Sequence, residues 1–245
     1  MTNVKELLEI AKESALKSGD YLKKNFLNDT EILLNKGRDI KLKIDQESEK
    51  IILGELLKNT DYPVLSEESG ASSELNDTYW IVDPLDGSSN YQRKIPICAT
   101  SIALMYKNEI VLGVTNDFLN GNLYFASKNN GAYCNNKKIR VSNIKSESMA
   151  TLITGIPAKE IYSNKEFEDL VSDFQAWKKI RMIGSAAIAN VYVASGLVDM
   201  YKENDIFLWD IAAGSILVSE AGGKSLISDI KEDFRVMATY TNGQI

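Results

Sequence analysis

The sequence contains no histidine among its 245 residues. Histidine is the usual general base near neutral pH and the most common ligand of transition metals in proteins. Its absence excludes Ser-His-Asp and Cys-His hydrolysis, phosphohistidine chemistry and histidine-rich zinc sites. If the chain is an enzyme, carboxylates, hydroxyls, lysines or hard cations must carry its chemistry.

Cysteine, proline and long apolar runs are also scarce. The two cysteines, Cys98 and Cys134, are too few for a disulfide framework, and we expect both to be small buried hydrophobes. No apolar run approaches the ~20 residues that span a bilayer, and the N-terminal segment mixes charged with apolar residues. Four prolines and 15 glycines are too few for a collagen-like or low-complexity chain. These absences predict a cytoplasmic protein without a membrane partner.

The remaining composition is that of a globular protein, with 44% hydrophobic and 25% charged residues. We expect one unit over residues 1–245, with an N-terminal half at about 1–145 and a C-terminal half at about 146–245. The formal net charge is −6, and binding to nucleic-acid phosphate is driven by lysine and arginine. We therefore expect no bulk nucleic-acid binding.

Hydrophobic periodicity predicts helices mixed with strands along the whole chain. Predicted helices cover 4–26, 46–59, 164–177, 185–196 and 208–223, with Asp45 at the N-cap of the second and two glycines capping the last. Predicted strands cover 63–68, 79–87, 150–155, 180–184, 198–202, 224–228 and 234–240, with a meander from 99 to about 141. This order predicts a layered α+β fold.

The stretch from Trp80 to Asn90 is the most informative for chemistry. A buried strand at 80–82 delivers Asp83 to a tight turn, which holds Asp86 nearby. Two close, partly desolvated carboxylates require a cation, a shared proton or several hydrogen-bond donors. Oxygen ligands without histidine favour Mg²⁺, with Mn²⁺ or Ca²⁺ as lesser options. The amides of Gly87 and Ser88, at a predicted helix start, suit a phosphate.

Two further acidic sites adjoin apolar segments. Glu67 and Glu68 follow a predicted strand, and Asp210 follows Trp209 at the start of a predicted helix. Each has a simple alternative interpretation, a solvated turn for the glutamates and an ordinary helix N-terminal charge for Asp210. Together they place carboxylates beside buried segments, where such groups are costly unless compensated.

These motifs, in this order, resemble the inositol monophosphatase family. The resemblance rests on Glu-Glu-Ser at 67–69, Asp-Pro-Leu-Asp-Gly-Ser at 83–88 followed by Asn90 and Tyr91, and Trp-Asp-Ile-Ala-Ala-Gly at 209–214 followed by Glu-Ala-Gly-Gly at 220–223. It extends from the first helix to the last strand. It implies a layered αβαβα sandwich of the inositol monophosphatase and fructose-1,6-bisphosphatase type, and a Mg²⁺-dependent, Li⁺-sensitive type of phosphomonoesterase that is commonly a homodimer.

The resemblance also implies a set of ligands for two to three Mg²⁺ ions, with Mn²⁺ as a possible substitute. One ion is expected at Glu67, Asp83, the Leu85 carbonyl and the Ser88 hydroxyl, a second at Asp83, Asp86 and Asp210, and a weaker third at Glu67. Ser88 stands where the family has threonine, and Asp45 matches the acidic partner of that hydroxyl. The implied roles of Asp45, Ser88 and Glu67 are catalytic. The pair formed by Ser88 and Asp45 orients and helps to deprotonate a metal-bound water. Asp45 as a simple helix cap is the alternative.

The resemblance implies a small phosphorylated metabolite as the binding partner. Glu203 lies seven residues before Asp210, as does the family residue that contacts sugar hydroxyls, and residues 184–187 are similar to the family's substrate-side helix start. The implied substrate-binding residues are Gly87, Ser88, Gly184, Ser185, Ala186, Glu203 and Asp210. They favour inositol monophosphate or a similar polyol or sugar phosphate, although a solvated Glu203 in a loop is an equal alternative.

Two other functions stay open at this point. One is a 3′(2′),5′-bisphosphate nucleotidase acting on adenosine 3′,5′-bisphosphate. The other is a non-catalytic regulatory protein that binds a protein or RNA partner. A broken set of acidic ligands would favour the second, and Glu67, Asp83, Asp86 and Asp210 are all present.

Besides Ser88, the chain departs from the family pattern in three places. The segment from Lys36 to Asp45 has Lys41 and Leu42 where the family usually shows valine and threonine, which predicts altered contacts of the metal loop. Residues 204–210 lack the usual small residues, which predicts a reshaped sugar pocket. The chain ends soon after Tyr240, where relatives commonly carry a further helix, so we expect different edge or dimer contacts.

Overall fold

A computed structural model describes residues 4–36, 39–156, 163–172 and 174–245. Both halves of this described chain contain helices and strands. The α-helices are α1 (Val4–Asn25), α2 (Lys43–Asn59), α3 (Ser88–Gln92), α4 (Asn164–Val171), α5 (Ala186–Ala194) and α6 (Leu208–Glu220). Short 3₁₀ helices cover Glu147–Met149 and Phe174–Ala176.

Strands supply the rest of the framework. In the first half they are β1 (Ile32–Lys36), β2 (Asp39–Leu42), β3 (Val64–Ser66), β4 (Gly70–Ala71), β5 (Thr78–Asp86), β6 (Ala99–Tyr106), β7 (Glu109–Asp117), β8 (Asn122–Ser127), β9 (Ala132–Cys134) and β10 (Lys137–Lys138). In the second half they are β11 (Thr151–Thr154), β12 (Lys179–Arg181), β13 (Met200–Phe207), β14 (Lys224–Ile227) and β15 (Arg235–Thr241).

The strands form two large mixed sheets and a separate hairpin. The first sheet has the order β10-β9-β8-β7-β6-β5-β3-β4, and the second has the order β12-β11-β13-β15-β14. Within the described ranges, strands β1 and β2 pair only with each other. Pairing is parallel between β3 and β5 and from β11 to both of its neighbours, whereas the other pairs are antiparallel. The parallel pairs matter for function, because they bring strand ends to the same edge.

The sheets and helices stack in alternating layers. Helix α1 buries Leu7, Leu8, Ala11 and Ala15, which recur at helical spacing, in a cluster that includes Trp80 of the first sheet. Helix α2 adds its own apolar side chains to the same cluster. Helices α5 and α6 pack between the two sheets in a second cluster that draws residues from both halves of the chain. This arrangement confirms the predicted mixed α and β layered fold.

Helix α6 approaches the first sheet unusually closely. It is buried along most of its length and lies against β7 at Gly113. A Cβ atom at Gly113 would lie 2.7 Å from the Ala213 carbonyl oxygen and 2.7 Å from a methyl carbon of Ile216. The missing side chain therefore sets the distance between the sheet and the helix that carries Asp210.

Some predicted elements are confirmed, whereas other predicted helices and strands end at different residues. The first helix, the meander and the Gly222 cap, with φ of +93°, are confirmed. Residues 164–177 are not one helix, since α4 ends at Val171, and the strand predicted to reach Gly184 ends at Arg181. Residue 173 lies outside the described residues. These ends are decided by packing that periodicity does not report.

The prediction of Asp45 at an N-cap is wrong. Helix α2 begins at Lys43, with Leu42 as its N-cap, so Asp45 lies inside the first turn. Its Oδ2 accepts a 2.8 Å hydrogen bond from the Leu42 amide, which is one half of a capping box. The β1–β2 hairpin that precedes this helix was not predicted, and residues 37 and 38 of the metal-loop segment lie outside the described residues.

Strand β13 is longer than predicted and contains Glu203. Its pairing with β15 is interrupted between Glu203 and Ile206, where Asp205 has φ of +59°, and then resumes. A bulge of this kind lets a strand continue through polar residues that are typical of a loop. Glu203 therefore lies in a strand, and the alternative of a solvated Glu203 in a loop is wrong.

Among the described residues, no helix is long and apolar enough to cross a bilayer. Cys98 is buried as predicted, whereas Cys134 is only partly buried.

We predict that Gly113→Ala lowers the free energy of unfolding by about 1–3 kcal/mol, because the added methyl group overpacks the contact with α6. Gly54→Ala is the matched control. Gly54 is an exposed residue inside α2 with open space around it, so alanine should stabilise by about 1 kcal/mol. Urea unfolding measures both values, and equal effects of the two substitutions would contradict the close packing.

Candidate active site

Three carboxylates from different elements meet at the edge of the first sheet. Asp83 lies in β5, Glu67 directly follows β3, and Asp210 lies in the first turn of α6. The parallel pairing of β3 with β5 places Glu67 beside Asp83, and the Glu67 amide donates to the Val82 carbonyl. One carboxylate oxygen of each of the three residues lies within 4.8 Å of the others. The structure thus brings together three of the four acidic residues that were predicted to converge, whereas Asp86 is arranged differently.

The surroundings of these three carboxylates raise their pKa values. Burial, and then repulsion from Glu67, Asp86 and Asp210, raises the pKa of Asp83 well above its ordinary value. Burial, followed by repulsion from Glu67 and Asp86, also raises the pKa of Asp210. The pKa of Glu67 rises to about 7, first through burial and then through the charge of Glu68. Without a cation, part of this negative charge must be neutralised by protons.

Asp83 provides the direct test of whether a cation fits. Its Oδ1 accepts a hydrogen bond from the Leu85 amide at 3.0 Å, but its Oδ2 is buried without a hydrogen-bond partner. A buried carboxylate oxygen without a donor is costly, and hard divalent cations bind such oxygens. Glu67, Asp83 and Asp210 therefore fit a divalent cation.

Asp86 is arranged differently from the other three. Its carboxylate accepts hydrogen bonds from the Ser185 hydroxyl and from the Ala186 and Ala187 amides at 3.3 and 3.0 Å, all at the start of α5. Burial raises its pKa to about 6, although these hydrogen bonds act in the opposite direction. It lies outside the group of three convergent oxygens. Its role as a metal ligand stays a prediction, and so does a substrate contact of Ser185.

Ser88 and Asp45 are neighbours, as predicted. The Ser88 hydroxyl donates to the Leu85 carbonyl at 2.9 Å and lies 3.3 Å from Oδ1 of Asp45. Burial raises the pKa of Asp45 to about 8. Since the other Asp45 oxygen accepts the Leu42 amide, this residue both stabilises the start of α2 and contacts Ser88. The two interpretations of Asp45 are thus compatible.

Gly87 makes this turn possible. It precedes α3 with φ of +87°, and a Cβ atom there would lie 2.8 Å from the Ile97 carbonyl oxygen. Gly87 and Ser88 line a depression of about 190 Å³ together with Glu67, Asp83 and Asp210. The residues predicted to bind phosphate and metal therefore share one depression.

A cavity of about 740 Å³ adjoins this depression. Asp86, Gly184 and Asp210 line both spaces. The cavity also contains the other predicted substrate-side residues, namely Ser185, Ala186 and Glu203. Its size suits a small organic molecule attached to a phosphate in the depression.

Glu203 faces this cavity and has a partner that the sequence analysis missed. The Tyr201 hydroxyl donates to Oε2 of Glu203 at 2.9 Å, and burial raises the pKa of Glu203 to about 7. Both residues line the cavity. The signal for Tyr201 was its two-residue spacing from Glu203, which places both side chains on one face of a strand, but it becomes informative only once Glu203 is assigned to a strand.

The unusual Lys41 also has a defined role near the site. Its ammonium nitrogen lies 3.2 Å from Oε1 of Glu68, whose side chain is almost fully buried. The neighbouring Leu42 is buried in a cluster with Leu85 and Tyr91. The two residues at 41–42 therefore contribute an ion pair and an apolar contact beside the site.

Comparisons with known proteins agree with this architecture. A model of the inositol monophosphatase family matches residues 3–241. The chain is 35% identical over 222 residues to the Nus factor SuhB of Pasteurella multocida, which covers 89% of this chain and 83% of that protein. It is 35% identical over 227 residues to the fructose-1,6-bisphosphatase/inositol-1-monophosphatase of Aquifex aeolicus, with 91% and 86% covered.

A solved structure extends the comparison to the fold. The inositol monophosphatase of Anabaena superposes with a TM-score of 0.83 at 31% identity, covering all of this chain and 93% of that one. The fold and the acidic site therefore define a protein of the phosphatase class of hydrolases. The chain belongs to the inositol monophosphatase family, whose members are generally metal-dependent.

We predict that Asp83→Asn stabilises the metal-free protein by about 1–2 kcal/mol, because the amide removes repulsion within the carboxylate group. We expect excess Mg²⁺ to raise the melting temperature of the native protein, and the same substitution should abolish that rise. Thermal melts with EDTA and with MgCl₂ measure both effects.

Asp77→Asn, at an exposed position, is the control and should leave the response to Mg²⁺ unchanged. Equal Mg²⁺-dependent stabilisation of Asp83→Asn and the native protein would contradict a cation site at Asp83.

Proposed function

We propose that this protein is a Mg²⁺-dependent phosphatase that hydrolyses inositol monophosphate or a similar polyol or sugar monophosphate. The observation that most directly supports this proposal is the group formed by Glu67, Asp83 and Asp210. In this group, Asp83 Oδ2 is buried without a hydrogen-bond partner among the described residues, and the group lies beside a substrate-sized cavity. The described half-chains share one apolar core, which supports a single working unit.

Glu67, Asp83 and Asp210 would hold the metal, and the remaining predicted ligands are Leu85, Asp86 and Ser88. Oxygen ligands favour Mg²⁺, in two to three ions, with Mn²⁺ as a substitute. When bound, such ions supply positive charge that stabilises the phosphoryl oxygens and favours loss of a proton from the attacking water.

The protein's own groups position the phosphate and move the proton. In the proposed reaction, the Gly87 and Ser88 amides orient the phosphoryl group in the depression for in-line attack. The Ser88 hydroxyl turns from the Leu85 carbonyl toward Asp45 Oδ1, which starts 3.3 Å away. Ser88 Oγ then accepts a proton from the water while its own proton passes to Asp45. This relay needs no histidine.

The charge of the cavity favours a monophosphate over a bisphosphate. Its described lining contains Asp86, Glu203 and Asp210 but no lysine or arginine. A leaving group with a second phosphate would meet the negative charge of these three carboxylates. This supports a polyol or sugar monophosphate over adenosine 3′,5′-bisphosphate, the second candidate substrate.

A regulatory role is the alternative from another class. The Pasteurella multocida relative is named a Nus factor, which supports testing this chain for a protein or RNA partner. The retained acidic group supports catalysis, and the net charge of −6 opposes bulk RNA binding. A cytoplasmic homodimer stays a prediction.

The decisive test compares phosphate release from myo-inositol 1-phosphate and from adenosine 3′,5′-bisphosphate, each with MgCl₂ and with EDTA. We expect Mg²⁺-dependent release and a higher kcat/KM for the inositol ester. A higher kcat/KM for the nucleotide would reassign the substrate. No release from any phosphorylated metabolite in a broad panel would favour the regulatory alternative.

For the relay, we predict that Ser88→Ala lowers kcat by about 10²-fold or more with little change in KM, because the variant lacks the proton-carrying hydroxyl. Asp45→Asn should act in the same direction. Ser88→Thr keeps the hydroxyl and should retain most of the native kcat. Steady-state kinetics with MgCl₂ measure these values, and an effect of Ser88→Ala on KM alone would restrict Ser88 to binding.

A further inference from the structure

The Glu203 side chain is fixed from two sides within the substrate cavity. Tyr201 lies two residues earlier on the same face of β13, is almost fully buried, and donates to Glu203 Oε2. Among the described contacts, Oε1 has no hydrogen-bond partner and so is available to a ligand. Tyr201 therefore holds Oε2 in a hydrogen bond and leaves Oε1 within reach of a substrate.

Gly155 fixes the carboxylate from the neighbouring strand. Strand β11 runs parallel to β13 with Thr154 beside Lys202, so Gly155 comes next to Glu203. A Cβ atom on Gly155 would lie 2.3 Å from Oε1 and 2.4 Å from Oε2 of Glu203. The Glu203 carboxylate thus packs directly against the backbone of Gly155. It occupies the space that the Cβ atom of any other residue at position 155 would fill.

We propose that Tyr201 and Gly155 are positioning residues that hold Glu203 as a fixed hydroxyl acceptor and thereby give the enzyme its preference for polyhydroxylated leaving groups. This inference rests on the proposed phosphatase activity. Glu203 lines the cavity beside the apolar side chains of Ile153 and Ile206, which offer a hydroxyl no hydrogen bond. At this part of the wall, discrimination among substrates therefore depends on where the Glu203 carboxylate points.

A fixed acceptor discriminates more strongly than a mobile one. A hydroxyl that reaches Glu203 exchanges its hydrogen bond to water for one to a charged group. If the carboxylate must first be ordered, the cost of ordering it reduces the gain on binding. Loss of either positioning residue should thus weaken recognition of hydroxyls without altering the reaction at phosphorus.

The test compares two esters of the same ring, myo-inositol 1-phosphate and cyclohexyl phosphate, which lacks the free hydroxyls. We expect Tyr201→Phe and Gly155→Ala each to raise KM for the inositol ester roughly tenfold, with kcat nearly unchanged. Kinetic constants for cyclohexyl phosphate should not change. Glu203→Gln should reduce the preference for the inositol ester similarly. Combining it with Tyr201→Phe should reduce that preference little further, because both changes disrupt the same hydroxyl acceptor.

Two controls separate positioning from folding. Tyr124→Phe removes a buried tyrosine hydroxyl in the first sheet, and Gly54→Ala adds a methyl group in open space, so neither should change the ratio of the two substrates. Circular dichroism and melting temperature report whether Tyr201→Phe and Gly155→Ala fold.

The outcomes distinguish this inference from the proposed function. Equal losses on both esters in folded variants, or no change on either, would overturn the positioning role of Tyr201 and Gly155. Failure of the native protein to hydrolyse either ester would instead overturn the proposed function. If Gly155→Ala does not fold, Tyr201→Phe alone decides the question.

Discussion

Mutual repulsion among carboxylates buried at one edge of the first sheet is the constraint on which this structure depends. Asp83 sits at the centre, and the charges of Glu67, Asp86 and Asp210 all raise its pKa. Such groups separate or protonate unless the surrounding fold holds them. Here the fold holds Asp83 and Asp86 in β5, Asp210 in the first turn of α6 and Glu67 directly after β3. Asp86 also receives three donors from the start of α5. The arrangement is thus prepared for positive charge.

The layers of the sandwich explain how this arrangement is maintained. Helix α6 brings Asp210 to the sheet because Gly113 allows close contact, and the parallel pairing of β3 with β5 sets Glu67 beside Asp83. The second sheet contributes no residue to the acidic group, but it forms the cavity wall that carries Glu203. The acidic group at the first sheet and the cavity wall with Glu203 on the second sheet therefore meet across the α5–α6 layer.

Most of the fold and the main acidic residues were predictable, because they produce local signals. Helical spacing in α1, alternating strands in the meander and strand-end acids such as Glu67 and Asp83 are visible in short windows. Errors arose where distant contacts decide the outcome. Asp45 is predicted at a cap although α2 starts two residues earlier. The predicted strand at 198–202 stops just before Glu203, because the bulge at Asp205 and the strand beyond it depend on pairing with β15.

By itself, the sequence determined which chemistry is available: no histidine, acidic residues at the ends of apolar segments, and a motif order that matches one family. It determined these because residue type and local spacing are properties of the chain alone. Only the tertiary structure decided which oxygen atoms converge, that Asp86 faces α5, and that Glu203 lies between Tyr201 and Gly155. These facts depend on distances between elements far apart in sequence, which are set by sheet register and by the space that glycines leave open.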